Sequence, residues 1–236
     1  MSFKPATLIS VVGILSTSML PTGDSEDVVI VPTIHALHVP QEAVISALES
    51  VPDIADARTR LIDHLASAFE PADPVAAELL MLNLISSPMG RQVGQDALGT
   101  LSLNFVTTQS TASSSTLIQT IQSLMPMVVA LPLSVSLLHS SSFVPNSADA
   151  TSLDAGLLQL GNGTVLAVQE GEMGEGGQLN EKAITNLKAL IDCLQTQTLR
   201  YAYPFMDNLR MDCAIRGLVF SEGKSLVPVR ILVKLC

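Results

Sequence analysis

Apolar and polar residues change their period several times along the chain, and each change predicts a new element. Near the start, two stretches rich in β-branched residues, about 7–15 and 27–37, read as strands around the turn-forming Pro21-Thr-Gly-Asp-Ser-Glu26. In 53–69, Ile54, Leu61, Leu65 and Phe69 recur on one helical face, with Asp56, Arg60 and Asp63 elsewhere. Asp73 followed by Pro74 has the form of an N-cap and a first helical position. The helix body behind them, Val75–Ile85, is apolar nearly all round and is expected to be buried. Thr100–Val106 reads as a strand, 107–115 as a Ser/Thr-rich loop, and the next helix groups Leu117, Ile121, Leu124 and Met125. A strand over about 128–138 follows, then a Ser-rich connection. Leu157-Leu-Gln-Leu160, Gly-Asn-Gly and Thr164–Val168 form the pattern of a β-hairpin. After a Gly/Glu-rich loop over 170–178, a helix from about Asn180 spaces Ile184, Leu187, Ile191 and Leu194 along one stripe. Strands near 198–205 and 213–221, the turn Ser221-Glu-Gly-Lys224 and a last strand, Leu226–Leu235, complete the chain. Strands alternating with helices predict an α/β fold.

Composition narrows the classes. The 236 residues are 47% hydrophobic and only 14% charged, with a net charge of −10. Such a chain can bury a sizeable core, and its composition excludes a disordered protein, a coiled coil or a histone-like nucleic-acid binder. Aromatics are few, with Phe 6, Tyr 2 and Trp 0, so the core must be aliphatic. The acidic balance and the thin spread of basic residues argue against direct sequence-specific DNA binding and against an anionic membrane surface. Apolar excess with so little charge predicts that some surface is covered by a partner. Cys193, Cys213 and Cys236 show no C-x-x-C spacing and read as free thiols of a reducing compartment. Residues 1–20 imitate a signal peptide, and Asn162-Gly-Thr164 is a formal glycosylation acceptor. The first is interrupted by Ser and Thr without an A-x-A exit, and the second reads better as a turn. The apolar run Met125–Leu138 contains Pro126, Pro132 and two serines, too broken for a membrane span.

Strand, loop and helix over 100–125 are the setting of a phosphate-binding loop. That chemistry needs glycines for close backbone approach, a Lys against the phosphate and a hydroxyl for magnesium. Residues 107–115 contain neither Gly nor Lys. Further on, the apolar Val165-Leu-Ala-Val168 ends in Gln169-Glu170, where a nucleotide hydrolase places an acidic pair. Gln169 removes one carboxylate from the metal shell, so the order of elements suggests a nucleotide-hydrolase scaffold whose chemistry is missing. His35 and His38 fall on opposite faces of a strand and do not make a metal site. Glu170, Glu172 and Glu175 among glycines do not follow the order of a calcium loop and read as a solvated loop. No catalytic residues, cofactor or metal ligands are expected.

Several segments together resemble a known family. They are Val11-Val-Gly-Ile-Leu15, Val31-Pro-Thr-Ile-His-Ala36, Ser102-Leu-Asn-Phe105 and, most specific, Gly156-Leu-Leu-Gln-Leu160 with Thr164-Val-Leu-Ala-Val-Gln-Glu170. The likeness continues through Gly177-Gln-Leu179, Thr185-Asn-Leu-Lys-Ala-Leu190, Gln197, Tyr201 and Tyr203 to Phe220-Ser-Glu-Gly-Lys-Ser-Leu-Val-Pro228. In order and spacing they resemble the mini-chromosome maintenance (MCM) complex-binding protein family, relatives of the replicative MCM helicase subunits. Asp154–Glu170 also resembles the helicases' approach to their Walker B acids, with Gln169-Glu170 in place of Asp-Glu, a degenerate Walker-B-like position. The resemblance implies a degenerate P-loop/AAA-like, MCM-like domain over 41–236, with a central sheet flanked by helices and without nucleotide motifs. Residues 1–40 would then be the end of a partial N-terminal β region. Family members are longer, so the chain reads as a short isoform, a partial gene model or a C-terminal fragment.

The function implied is that of a non-enzymatic nuclear binder of MCM helicase subunits, without a cofactor, reaching chromatin indirectly through them. The roles that go with it are DNA replication in the cell cycle, handling of MCM subcomplexes, unloading of MCM from chromatin and sister-chromatid cohesion in mitosis. The rival reading is a nucleotide-dependent P-loop-type enzyme with a divergent site, retained because Glu170 is present. A secreted glycoprotein is the third.

Overall fold

The computed structural model describes residues 9–21, 28–39, 54–91, 97–106, 112–147, 153–171, 173, 178–229 and 231–235. The fold is α/β, as the alternation predicts. Its centre is a five-stranded parallel sheet, and two antiparallel hairpins complete the strand set among the described residues.

The first hairpin pairs β1 (Val12–Pro21) with β2 (Val28–His38), joining Leu15 to Ile34 and Met19 to Ile30 across the strands. Helices α1 (Ile54–Ala66) and α2 (Pro74–Ile85) come next and pack on each other. Asp73 caps α2 as its sequence predicts, accepting from the backbone N–H groups of Val75 and Ala76 at 2.9 and 3.0 Å. The expectation that α2 is buried all round needs correction. Ala76, Ala77, Leu80 and Leu84 are buried, but Val75, Leu82 and Ile85 stay exposed, because α1 and the sheet cover only one side.

The central sheet has the order β4 (Val128–Pro132), β5 (Val165–Gln169), β8 (Arg216–Ser221), β3 (Leu103–Val106), β9 (Ile231–Lys234). Its two central strands, β5 and β8, carry apolar residues on both faces, as parallel strands covered on both sides do. Val165 and Ala167 join Leu103, Phe105, Leu218 and Phe220 in a core with α1, α2 and α3 (Ala112–Leu124). Leu166, Val168 and Val219 face the other way. There they meet α4 (Val135–Ser140), α5 (Glu181–Gln195) and the hairpin of β6 (Thr198–Tyr203) and β7 (Met206–Asp212). Phe105 lies between Phe69 and Phe220, with ring centroids 5.5 and 5.8 Å away.

Several sequence expectations fail for physical reasons. The strand over 128–138 ends at Pro132, and Ser134 starts α4 by accepting from the Leu137 N–H at 3.1 Å. The hairpin over 157–168 does not form. Gly163 does turn, at φ 86°, but both edges of β5 are taken by β4 and β8. Leu157 and Leu158 instead hydrogen-bond to the carbonyls of Ser142 and Phe143. Residues 112–115 belong to α3, not to a loop, while 107–111 lie outside the described residues. On α3, Ile118 takes the buried place expected of Leu124. On α5 Leu194 is buried as expected, but the rest of the buried stripe is Ala183, Asn186, Leu190 and Cys193, leaving Ile184 half exposed, because α4 reaches the neighbouring face. The region read as two strands over 198–221 holds three, since β6 and β7 fold back through a tight turn before β8.

Candidate functional site at the carboxyl edge of the sheet

In a parallel sheet all strand dipoles and C-terminal loops share one edge, which is where open α/β folds bind ligands. Here that edge collects Val106, Gln169 and Ser221, the last residues of β3, β5 and β8. The structure brings together the two regions singled out from sequence. The Gln169 side-chain amide donates to the Ser114 hydroxyl, 3.2 Å away, in the first turns of α3. The position read from sequence as Walker-B-like thus touches the helix that follows the candidate phosphate loop.

Glu170 is turned elsewhere. Its Oε1 accepts from the Ser225 hydroxyl at 2.8 Å and the Val227 N–H at 3.1 Å, and its Oε2 from the Leu226 N–H at 3.3 Å. The residue is buried, and its own N–H donates to the Phe220 carbonyl. Burial pushes the carboxyl above its ordinary value of 4.5, with the three hydrogen bonds opposing that rise. Both oxygens are therefore committed to the connection between β8 and β9, and Val227, fully buried, is anchored through them.

Beside this tie lies a cleft of about 370 Å³, bordered by Glu170, Met173, Ser221, Glu222 and Lys224. The Ser221 hydroxyl donates to Asn104 Oδ1 at 3.0 Å, and the buried Nδ2 of Asn104 has no partner among the described residues. One lysine facing two glutamates does not make a phosphate cradle, and a carboxylate already accepting from three donors is poorly placed to orient a water. Among the described residues no three His, Cys, Asp or Glu side chains gather as metal ligands, and no helix is long and apolar enough to cross a membrane. Asn162, the formal glycosylation acceptor, uses its Oδ1 to accept from the Ala214 N–H at 3.0 Å.

Sequence reasoning found Gln169 and Glu170 but missed their partners Ser114, Ser225 and Val227, and it missed the Asn104–Ser221 pair. Part of the signal was present, because Ser225-Leu-Val-Pro228 belongs to the segment that carries the family likeness.

Comparison with known proteins decides the family. A sequence model described as "Mini-chromosome maintenance replisome factor" matches residues 5–236. The chain belongs to that family. It is 32% identical over 168 residues to the mini-chromosome maintenance complex-binding protein of Arabidopsis thaliana, covering 69% of this chain and 28% of that one. The proteins of the same name from Gallus gallus and Salmo salar are 30% and 32% identical over 178 and 177 residues. Each match covers 75% of this chain and 28% of the relative. The matched region is thus under a third of the relatives' own length.

Proposed function

We propose that the chain is a non-enzymatic binding module for the MCM helicase complex, built on a P-loop/AAA-like scaffold that does not turn over nucleotide. The observation that carries the reading is the commitment of the acidic position, with Gln169 on Ser114 and Glu170 on residues 225–227. The scaffold half is supported by the sheet order, in which β8 separates the strand leading into the candidate phosphate loop from the strand ending in Gln169. The partner half is supported by relatives that bear the name MCM complex-binding protein. On this reading the module packs against MCM subunits as a pseudo-subunit in the nucleus. It would serve DNA replication, subcomplex handling, unloading from chromatin and sister-chromatid cohesion, and the net charge of −10 suits a protein reaching chromatin through partners.

The test is recovery of MCM subunits on the tagged chain from nuclease-treated nuclear extract. Enrichment of at least one subunit over a charge-matched control is expected, and recovery of none overturns the partner assignment. ATP turnover is measured in parallel; hydrolysis that Glu170→Gln abolishes would overturn the non-enzymatic reading in favour of a divergent P-loop-type enzyme.

A further inference from the structure

At the opposite end of β8, two thiols meet in unlike surroundings. Cys193, near the end of α5, and Cys213, between β7 and β8, place their sulfurs 3.7 Å apart. The backbone between them is pinned. The Cys213 N–H donates to the Gln197 carbonyl at 3.0 Å, and Gln197, at φ 53°, uses its buried amide on Leu194 and Ile215. Cys193 has no exposed surface; Cys213 is also buried but keeps 7% exposure where it borders a cleft of about 250 Å³ with Arg91, Asp212 and Asn162. Arg91 is fixed there by donating to the carbonyls of Thr196 and Gln197 at 2.6 and 2.8 Å, with Asp212 at 3.4 Å. The hydrogen bond with Cys193, aided by the Arg91 charge, draws Cys213 below the ordinary thiol range against the opposing effects of burial and of Asp212. The same bond and burial push Cys193 well above it.

We propose that Cys213 is a peroxide-reactive thiol and Cys193 its resolving partner. The Cys213 thiolate attacks one oxygen of a hydroperoxide, the O–O bond breaks, and the leaving alkoxide or hydroxide takes up a proton. Cys213 is left as a sulfenic acid. The Cys193 sulfur then attacks Cys213, the S–O bond breaks, and the hydroxyl departs with the Cys193 proton as water. Two thiols are oxidised to a disulfide, and one peroxide is reduced to water and an alcohol, or to two waters. The sulfurs must close from 3.7 Å to about 2.05 Å, the length of the bond. The product ties α5 to the return from the β6–β7 hairpin, so a covalent strap across the second core forms under peroxide and opens under thiol reductant.

The experiment uses the whole chain carrying Cys236→Ser, reduced, then exposed to hydrogen peroxide with glutathione present as a competing thiol. Intact mass should fall by about 2 Da on disulfide formation, with one cross-linked peptide pair joining Cys193 to Cys213, reversed by dithiothreitol. In Cys193→Ser a dimedone adduct should accumulate on Cys213, and in Cys213→Ser no adduct should form on Cys193. Arg91→Gln should slow adduct formation without moving it to another residue. Unfolding curves of each variant identify any that fail to fold, and the parent's cross-link map then decides alone. Retention of both thiols after glutathione is consumed overturns the proposal, as does an adduct that forms first on Cys193.

Discussion

Replacing Glu170 separates a structural carboxylate from a catalytic one. Glu170→Ala removes an acceptor from Ser225, Leu226 and Val227 at once. Hydrogen bonds to a charged group contribute about 1.5–3 kcal/mol each, but the losses do not add fully here. Leu226, 44% exposed, regains water, and the Val227 N–H keeps the Ser225 hydroxyl oxygen at 3.1 Å. What is lost is close to one charge-assisted bond plus the anchoring of buried Val227, about 2–3 kcal/mol. Glu170→Gln preserves the shape but turns an amide donor toward one of these donors, costing about 1–2 kcal/mol. Each kcal/mol corresponds to roughly 2–4 °C in a protein of this size, so the alanine variant should melt roughly 4–12 °C lower. Urea unfolding followed by circular dichroism gives the free energies directly. The pH dependence has a definite sign. A carboxyl whose folded value lies above 4.5 binds more protons in the folded state. Its contribution to stability is therefore full below 4.5 and is lost as pH rises through the folded value. Glutamine has no such term, so the parent's advantage over Glu170→Gln should widen as pH falls from neutral toward 4.5. If both variants unfold within about 0.5 kcal/mol of the parent, the resolution of a good measurement, the structural role assigned to Glu170 is wrong.

Three other variants probe packing elsewhere in the fold. Asn83, fully buried, donates to the carbonyls of Leu101 and Gly217 at 2.6 and 3.1 Å, so Asn83→Ala removes two buried hydrogen bonds and leaves a cavity. It should lose about 2–4 kcal/mol in urea. Gly156→Ala would set a methyl 2.3 Å from the Val144 carbonyl carbon, a clash with backbone that cannot turn aside. A fall of about 2 kcal/mol or more is expected by thermal unfolding, and none would show that the segment yields. In the first hairpin Leu15 and Met19 are 72% and 74% exposed, so the double substitution Leu15→Thr, Met19→Thr should change unfolding by less than about 0.5 kcal/mol.

What the sequence reveals about this protein depends on how far apart the interacting residues lie. The start of α2 is written in two adjacent residues, Asp73 and Pro74, and the structure matches it atom for atom. The end of β5 is similarly plain, because a continuous apolar run stops at Gln169. Errors arise where a local signal is overruled from a distance. Asn162-Gly163 makes a turn, yet the hairpin it implies is absent because β5 is claimed on both sides by strands more than thirty residues away. Glu170 shows the same division. Its place at the strand end could be read, but its role is set by Ser225 and Val227, fifty-five and fifty-seven residues later.

The apolar excess finds its place by the same reasoning. A sheet whose inner strands are covered on both faces consumes apolar residues at consecutive positions, and Val165–Val168, all buried, are its clearest case. Two hydrophobic cores, mostly aliphatic around a few buried aromatic rings, then absorb much of a composition that is 47% hydrophobic. They do not absorb all of it. β1 and β2 contain no Asp, Glu, Lys or Arg, yet Leu15, Met19, Ile30, Ile34 and Leu37 stand 59–74% exposed. By the pairing of Leu15 with Ile34 and Met19 with Ile30, four of these five share one face of the hairpin. The low charge of the chain is therefore divided between its ends. Around the central sheet it reflects burial on two sides, and in the first hairpin it is an uncovered apolar surface, the feature that composition alone could count but not locate.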